Sequence, residues 1–121
     1  MKKVLIVDDS EMIRQQVAGT LEGAGFSVLT AADGVAGLEC VEQHDLSLAI
    51  LDVNMPKLNG LEMLEKLRGS PKLAGVRVLI LTTEVQRALI DRAKKAGAKG
   101  WLIKPIKPEH LLSAVNRLLR S

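Results

Sequence analysis

Five short apolar segments alternate along the chain with five stretches whose apolar residues recur at helical spacing. This alternation restricts the fold more than any other feature of the sequence. The apolar segments cover residues 3–7, 26–30, 46–51, 76–81 and 99–103. Helical stripes follow each of them, for example Met12, Ile13, Val17 and Leu21 in the first, Val85, Leu89 and Ala93 or Ala96 in the fourth, and Leu111, Leu112, Val115, Leu118 and Leu119 in the last. The pattern predicts a (βα)₅ chain of the α/β class.

The first, third and fourth apolar segments have no polar face. Strands are apolar on both faces when helices cover both sides of a sheet, so we expect a parallel, central sheet. Right-handed crossovers then place helices on both faces. The second segment is the least apolar and is the candidate for an edge strand.

The 121 residues are enough for one domain, which we place at 1–121, and too few for two. No apolar run approaches the ~20 residues of a membrane span. The single Cys40 cannot form an internal disulfide, which fits a cytoplasmic protein in which this thiol is a small buried apolar group. His44 and His110 are far apart and lack a metal-ligand spacing.

Charge is unevenly distributed along the chain. Residues 1–83 hold 8 Lys/Arg and 11 Asp/Glu, a net −3, whereas residues 84–121 hold 9 Lys/Arg and 3 Asp/Glu, a net +6. A basic C-terminal third can attract an acidic protein surface. Its cations are scattered and aromatic residues are few, so we do not expect direct binding to nucleic acid.

Four of the five predicted strands finish on an ionisable or hydroxyl side chain. The first ends on Asp8 and Asp9, the third on Asp52, the fourth on Thr82 and the fifth on Lys104. The carboxyl ends of parallel strands line the crevice in which open α/β sheets bind ligands. The five side chains should therefore converge, although Asp9 or Ser10 is also a candidate cap for the first helix.

Three carboxylates in one pocket need compensating charge, and Lys104 alone is not enough. A hard divalent cation that prefers oxygen ligands would supply this charge, and Mg²⁺ is the abundant cation of this kind. No soft ligand lies nearby in sequence, which argues against zinc or copper. A metal, an ammonium and a hydroxyl around a carboxylate suit a phosphoryl group, for which an Asp can be the nucleophile.

The motifs VLIVDDS, LDVNMPKLNG, LILTTE and GWLIKP, in this order and spacing, resemble those of the response-regulator receiver domains, the CheY-like family. The resemblance extends over the whole chain. It implies a flavodoxin-like, doubly wound five-stranded sheet in the order 2-1-3-4-5. It also implies two-component signalling, in which a sensor histidine kinase or a histidine phosphotransfer protein supplies a phosphoryl group.

The resemblance also implies roles for individual residues. Asp52 would be the phosphoacceptor. Asp9 and Asp52 would bind Mg²⁺ through their side chains, Asn54 through its backbone carbonyl, and Asp8 directly or through water. Thr82 and Lys104 would contact the phosphoryl oxygens, and Lys104 would pair with Asp52 or Asp9 beforehand. The family often has a cis bond at the position of Lys104–Pro105, and a loop of Met55, Pro56 and Gly60 would hold Asp52.

Three further positions are implied to tune the response. Trp101 stands at the aromatic switch position, usually Tyr or Phe, and its larger ring should swing less freely. Asn54 and Glu84, two residues after Asp52 and Thr82, would orient an attacking water and shorten the lifetime of the phosphoaspartate. Glu84 could equally begin the fourth helix, where a carboxylate favours the dipole.

Rival protein classes lack their sequence features here. A flavin binder needs a phosphate loop after the first strand and aromatic faces, a P-loop enzyme needs GxxxxGK[ST], and a haloacid-dehalogenase-like phosphatase needs DxD. A degenerate receiver that only binds partners is the serious alternative, but it would lack one of the acids, the Thr or the Lys. No effector domain follows the last predicted helix, so we expect a stand-alone regulator of the chemotaxis or phosphorelay type, or a domain cut from a longer chain. Its unidentified downstream protein would contact helix 4, strand 5 and helix 5.

Overall fold

Five parallel strands and five helices alternate in the computed structural model, which describes residues 2–55, 58–71 and 75–120. The strands are β1 (Lys3–Val7), β2 (Ser27–Ala31), β3 (Leu48–Leu51), β4 (Arg77–Thr82) and β5 (Gly100–Ile103). The helices are α1 (Glu11–Gly23), α2 (Gly34–Gln43), α3 (Gly60–Arg68), α4 (Arg87–Lys95) and α5 (Pro108–Arg120). All strand pairs are parallel, in the order β2-β1-β3-β4-β5. The predicted fold class and the edge position of β2 are confirmed.

The sheet is covered on both faces by helices. Alternate residues of the central strands point to opposite sides, so that Leu5 and Val7 of β1 join one apolar cluster while Val4 and Ile6 join the other. The first cluster packs under α2, α3 and α4, and the second packs under α1 and α5. This two-sided burial explains why β1, β3 and β4 are apolar throughout.

Polar caps begin the three helices that follow β1, β2 and β3. The Ser10 hydroxyl accepts from the Ile13 amide at α1, and the Asp33 carboxylate accepts from the Ala36 amide at α2. At α3, Asn59 and Glu62 form a reciprocal capping box. Of the two candidate caps for α1, Ser10 has this role, which leaves the Asp9 side chain available for other contacts.

Several predicted boundaries are wrong by one or two residues, and one error concerns the site. The predicted fourth helical stripe includes Val85, but α4 begins at Arg87, and Val85 is 67% exposed in the preceding loop. Glu84 therefore does not begin α4. Strands β2, β3 and β5 begin one or two residues after the predicted Phe26, Leu46 and Lys99. Phe26 and Leu46 are apolar residues that pack with the two core clusters without belonging to a strand, whereas Lys99 is exposed and donates its amide to the Val78 carbonyl just before β5 begins.

Cys40 lies half-buried on α2 and packs against the first apolar cluster. Burial raises the pKa of its thiol, which is consistent with the predicted role as a small apolar group. In the part of the chain that the structure describes, no helix has the length and apolar character needed to cross a membrane.

Candidate functional site

Asp8, Asp52 and Thr82 are the three buried polar residues in the described part of the chain, and all lie at the carboxyl edge of the sheet. These residues are 3%, 6% and 0% exposed, respectively. Asp8 follows β1, Asp52 follows β3 and Thr82 ends β4. The order β1-β3-β4 makes these strands neighbours, so residues that are 30 to 74 positions apart in sequence meet at one edge.

The Lys104 ammonium enters this group from the end of β5. Its Nζ donates to Asp8 Oδ2 at 2.5 Å and to Asp52 Oδ2 at 2.9 Å. The predicted pairing with Asp52 is confirmed, but the predicted alternative, Asp9, is wrong. Asp8 points inward and Asp9 is exposed, because successive side chains along an extended segment point to opposite sides. The expected cis bond between Lys104 and Pro105 is confirmed.

Burial and pairing have opposite effects on these charges. Burial raises the pKa of Asp8 above its ordinary value, although the hydrogen bonds from Lys104 and from the Ser10 amide lower it in part. Burial alone would lower the pKa of Lys104, but its hydrogen bonds to Asp8 and Asp52 outweigh that effect and leave the pKa raised. The protonated form of Lys104 is therefore favoured, whereas burial disfavours the ionised form of Asp8.

Asp8, Asp9 and Asp52 can each offer a carboxylate oxygen such that the three atoms lie within 4.8 Å of one another. Two of these acids are buried, and Lys104, which pairs with both of them, cannot by itself balance three carboxylates. No hydrogen bond or ion pair is made by the Asp9 side chain within the described residues, so its oxygens are free to act as ligands. A set of hard oxygen donors with excess negative charge fits Mg²⁺.

The loop after β3 holds Asp52 through the backbone. The Asn54 amide donates to Asp52 Oδ1 at 3.1 Å, while the Asn54 side chain is exposed. Met55 packs against the first apolar cluster, and Pro56 lies outside the described residues. A Cβ on Gly60 would lie 2.2 Å from the Asp52 carbonyl oxygen, so this glycine is required for close approach rather than for a positive φ angle.

Thr82 and Trp101 are linked through the backbone of Glu84. The Glu84 amide donates to Thr82 Oγ1 at 3.3 Å, and Trp101 Nε1 donates to the Glu84 carbonyl at 3.0 Å. The indole is half-buried against the first cluster. Tyr or Phe at this position would lack the indole N–H, so the contact depends on the residue in which this sequence departs from the usual pattern.

Two contributors to the site were missed from sequence. Gly34 at the start of α2 donates its amide to the Leu58 carbonyl at 3.0 Å, which docks α2 on the loop after β3. Arg14 of α1 donates from Nη1 to the Asp8 carbonyl at 2.7 Å. Neither residue lies in a motif that suggested a role, and each contact exists only because the chain folds back on itself.

Comparison with known proteins decides the family. Residues 4–116 match the family model described as the response regulator receiver domain. The chain belongs to the response-regulator receiver family. Its members act in two-component signalling, and membership implies interaction with a histidine kinase.

Similar proteins include several named as chemotaxis proteins. The chain is 35% identical to chemotaxis protein CheY1 of Helicobacter pylori over 90% of each protein. It is 34% identical to a CheY homolog of Campylobacter jejuni, over 97% of this chain and 92% of that protein. The solved structure of chemotaxis protein CheY4 of Vibrio cholerae is 42% identical, covers 98% of both chains and superposes with a TM-score of 0.93. This receiver therefore has CheY-type relatives along nearly its whole length.

Proposed function

We propose that this receiver accepts a phosphoryl group on Asp52 from a phosphohistidine of a sensor histidine kinase or a histidine phosphotransfer protein. One carboxylate oxygen of Asp52 forms the new bond to phosphorus, the N–P bond of the phosphohistidine breaks, and the imidazole leaves. The observation that carries the proposal is the position of Asp52, which lies at a strand end with Oδ2 bonded to Lys104 and with two further acids close by.

The carboxylates of Asp9 and Asp52 and the backbone carbonyl of Asn54 would hold Mg²⁺, with Asp8 bound directly or through water. When bound, the cation would neutralise charge on the phosphoryl oxygens. Asp9 suits this role because it has no partner in the described part of the chain. Asp8 suits an indirect role, because both of its carboxylate oxygens already accept hydrogen bonds.

Lys104 and Thr82 would bind the phosphoryl oxygens after transfer. The Lys104 ammonium already contacts Asp52, so it would move little to pair with a group attached there. The Thr82 hydroxyl is fully buried at the end of the adjacent strand, and the Thr82 carbonyl accepts from the Lys104 amide at 2.8 Å. These two groups would stabilise the phosphorylated form and connect it to β4 and β5.

Trp101 would report phosphorylation at the surface. A shift of the Thr82 hydroxyl toward a phosphoryl group would release or redirect the Glu84 amide, and the Glu84 carbonyl holds the indole. Because the indole N–H is tethered in this way, we expect Trp101 to move together with the loop after β4 and not to swing freely in and out.

Asn54 and Glu84 would set the lifetime of the phosphoaspartate. The Asn54 side chain is exposed and Glu84 is half-buried; the Asn54 amide donates to Asp52 Oδ1, and the Glu84 amide donates to Thr82 Oγ1. Polar groups at these positions would orient an attacking water, so we expect self-catalysed dephosphorylation and a short lifetime. A half-life of many hours for the purified phosphoprotein would contradict this.

The output surface would be α4, β5 and α5, with an acidic downstream protein as its partner in the cytoplasm. The cations of this region include Arg87, Arg92, Lys94, Lys95, Lys99 and Lys107. Val85 and Ile103 are exposed large apolar side chains, and each adjoins a predicted site residue, Glu84 and Lys104 respectively. A partner with acidic and apolar groups fits this surface, and its affinity should fall as salt rises.

Acetyl phosphate tests the central claim. With Mg²⁺, the wild type should gain the mass of one phosphoryl group, while Asp52→Ala should gain none. EDTA should prevent the gain in the wild type. A wild type that forms no adduct under these conditions would instead be a degenerate receiver that only binds partners.

A further inference from the structure

We propose that Arg14 is a positioning residue for the acidic pair, and that the Mg²⁺ affinity of the site depends on its hydrogen bond to the Asp8 carbonyl. The inference rests on the proposed function, because it concerns the same metal site. Arg14 lies six residues after Asp8, on α1, and its guanidinium reaches back over the start of that helix. The Nη1–O distance is 2.7 Å, and the contact is partly buried.

Arg14 contacts both ends of the segment that contains Asp9. Its side chain holds the Asp8 carbonyl, and its backbone amide donates to the Ser10 carbonyl at 3.0 Å. Ser10 is further fixed, because its hydroxyl caps α1 and its amide donates to Asp8 Oδ1. Arg14 therefore closes a ring of contacts around Asp9.

Every other polar group of Asp8 is bonded as well. The Asp8 amide donates to the Ala31 carbonyl, Oδ1 accepts from Ser10 and Oδ2 accepts from Lys104. The Arg14 bond fixes the one remaining acceptor, the carbonyl of the peptide that joins Asp8 to Asp9. Within the described residues no partner holds the Asp9 side chain, so its direction is set by this peptide and by Ser10.

Positioning and charge predict opposite effects of removing Arg14. As a nearby cation, Arg14 should repel Mg²⁺, so loss of its charge alone would tighten binding. As the group that orients the peptide before Asp9, it should favour binding, since partners behind metal ligands typically contribute 10–100-fold to affinity. The sign of the change in the dissociation constant therefore separates the two roles.

The test is a calorimetric titration of the unphosphorylated protein with Mg²⁺. A second titration uses Mn²⁺, and its binding is monitored by electron paramagnetic resonance. Arg14→Met keeps an apolar stem but has no donor, and we expect about 10-fold weaker binding of both ions, at the lower end of the usual range. Arg14→Lys keeps the charge without the planar fork, and we expect binding weaker than wild type but tighter than in Arg14→Met. An affinity in Arg14→Met equal to or tighter than wild type overturns the proposal.

Thermal unfolding in EDTA separates positioning from stability. A purely structural role would lower the Tm of the variants and leave the dissociation constant unchanged, which also overturns the proposal. If Arg14→Met does not fold, Arg14→Lys decides alone, and an unchanged affinity in it counts against positioning. Arg117→Met, which removes an exposed charge from the last turn of α5, is the matched control and should bind Mg²⁺ like the wild type.

The failure of this inference differs from the failure of the proposed function. A wild type that binds Mg²⁺ and accepts phosphate, with Arg14 variants that bind equally well, removes only the role of Arg14. A wild type that neither binds Mg²⁺ nor takes phosphate from acetyl phosphate removes both.

Discussion

Lys104 pairs with Asp8, and not with Asp9, at the carboxyl edge of the sheet. The pairing divides the two adjacent acids into different roles. Asp8 is buried, accepts hydrogen bonds at both carboxylate oxygens and forms an ion pair with Lys104. Asp9 is exposed and available to bind a ligand. Two neighbouring carboxylates of the same chemistry thus differ because the strand directs one inward and one outward.

Asp8→Asn should stabilise the metal-free protein. Burial raises the pKa of Asp8, so the ionised form is disfavoured in the folded state, and Lys104 keeps Asp52 as a partner after the substitution. We expect a gain of about 0.5–2 kcal/mol in the free energy of unfolding at pH 7, as is common for single stabilising changes. Urea unfolding in EDTA measures it, and Mg²⁺ affinity should fall in the same variant.

The stability gained by Asp8→Asn should depend on pH in a defined direction. Because the folded-state pKa of Asp8 is raised, the folded protein holds this proton more tightly than the unfolded chain does. The contribution of Asp8 to the stability of the wild type is therefore lost as pH rises from the ordinary Asp pKa of about 3.9 through the raised pKa of the folded state. The advantage of Asp8→Asn should grow over that window and then level off, so a variant that is less stable than wild type at pH 7 would contradict the burial argument.

Gly60→Ala should disturb Asp52 without touching its side chain. The added Cβ would lie 2.2 Å from the Asp52 carbonyl oxygen, which is backbone and cannot rotate away. We expect a loss of about 1–3 kcal/mol in stability and a slower reaction with acetyl phosphate. Chemical unfolding and the rate of mass gain measure the two effects.

Gly19→Ala is the matched control for that substitution. Gly19 lies within α1 with open space around its Cβ position, so the alanine should stabilise the protein by about 0.5–1 kcal/mol. The rate of phosphorylation should stay at the wild-type level. If both alanine variants behaved alike, close packing on the Asp52 carbonyl could not be the reason for a glycine at position 60.

Trp101→Phe and Thr82→Val should be coupled in a double-mutant cycle. Each change removes one end of the chain of contacts that passes through the Glu84 backbone. We expect an interaction energy of at least about 0.5 kcal/mol in the free energy of unfolding. The pair Trp101→Phe and Gly19→Ala shares no contact of this kind and should be additive; additivity in both cycles would refute the link.

The bidentate pair between Arg92 and Glu65 should contribute little and depend on salt. Arg92 Nε and Nη2 donate to the two Glu65 oxygens at 2.7 and 2.6 Å, and the hydrogen bond from Arg92 lowers the pKa of Glu65. Both side chains are exposed, by 46% and 40%, so water and ions screen the pair. Arg92→Gln should lower stability slightly at low salt and less at high salt, as measured by urea unfolding.

The contribution of the Arg92–Glu65 pair to stability should also depend on pH. Because the folded-state pKa of Glu65 is lowered, its stabilising contribution is present above the ordinary Glu pKa of about 4.3 and is lost as pH falls through the lowered value. The difference between wild type and Arg92→Gln should therefore shrink on acidification. A difference that is unchanged at low pH would mean that Arg92 acts through packing and not through its charge.

The architecture and the candidate residues of the site follow from local patterns in the sequence. Alternating apolar segments and helical stripes specify a parallel sheet with helices on both faces, because only such a sheet buries strands that lack a polar face. The positions of Asp8, Asp9, Asp52, Thr82 and Lys104 at strand ends then place them at one edge. These conclusions depend on local patterns and on the rule that parallel strands share a direction, so no distances were needed.

Which of these groups are in contact depends on the packing of the folded chain. The choice of Asp8 over Asp9 as the partner of Lys104 depends on the direction of each side chain, and the α4 boundary depends on where the loop after β4 turns. The contacts of Arg14 with Asp8, of Gly34 with Leu58 and of Trp101 with Glu84 join separate elements or reach back over a helix end. Such contacts depend on the packing of whole helices against the sheet, and that packing is set by many side chains at once.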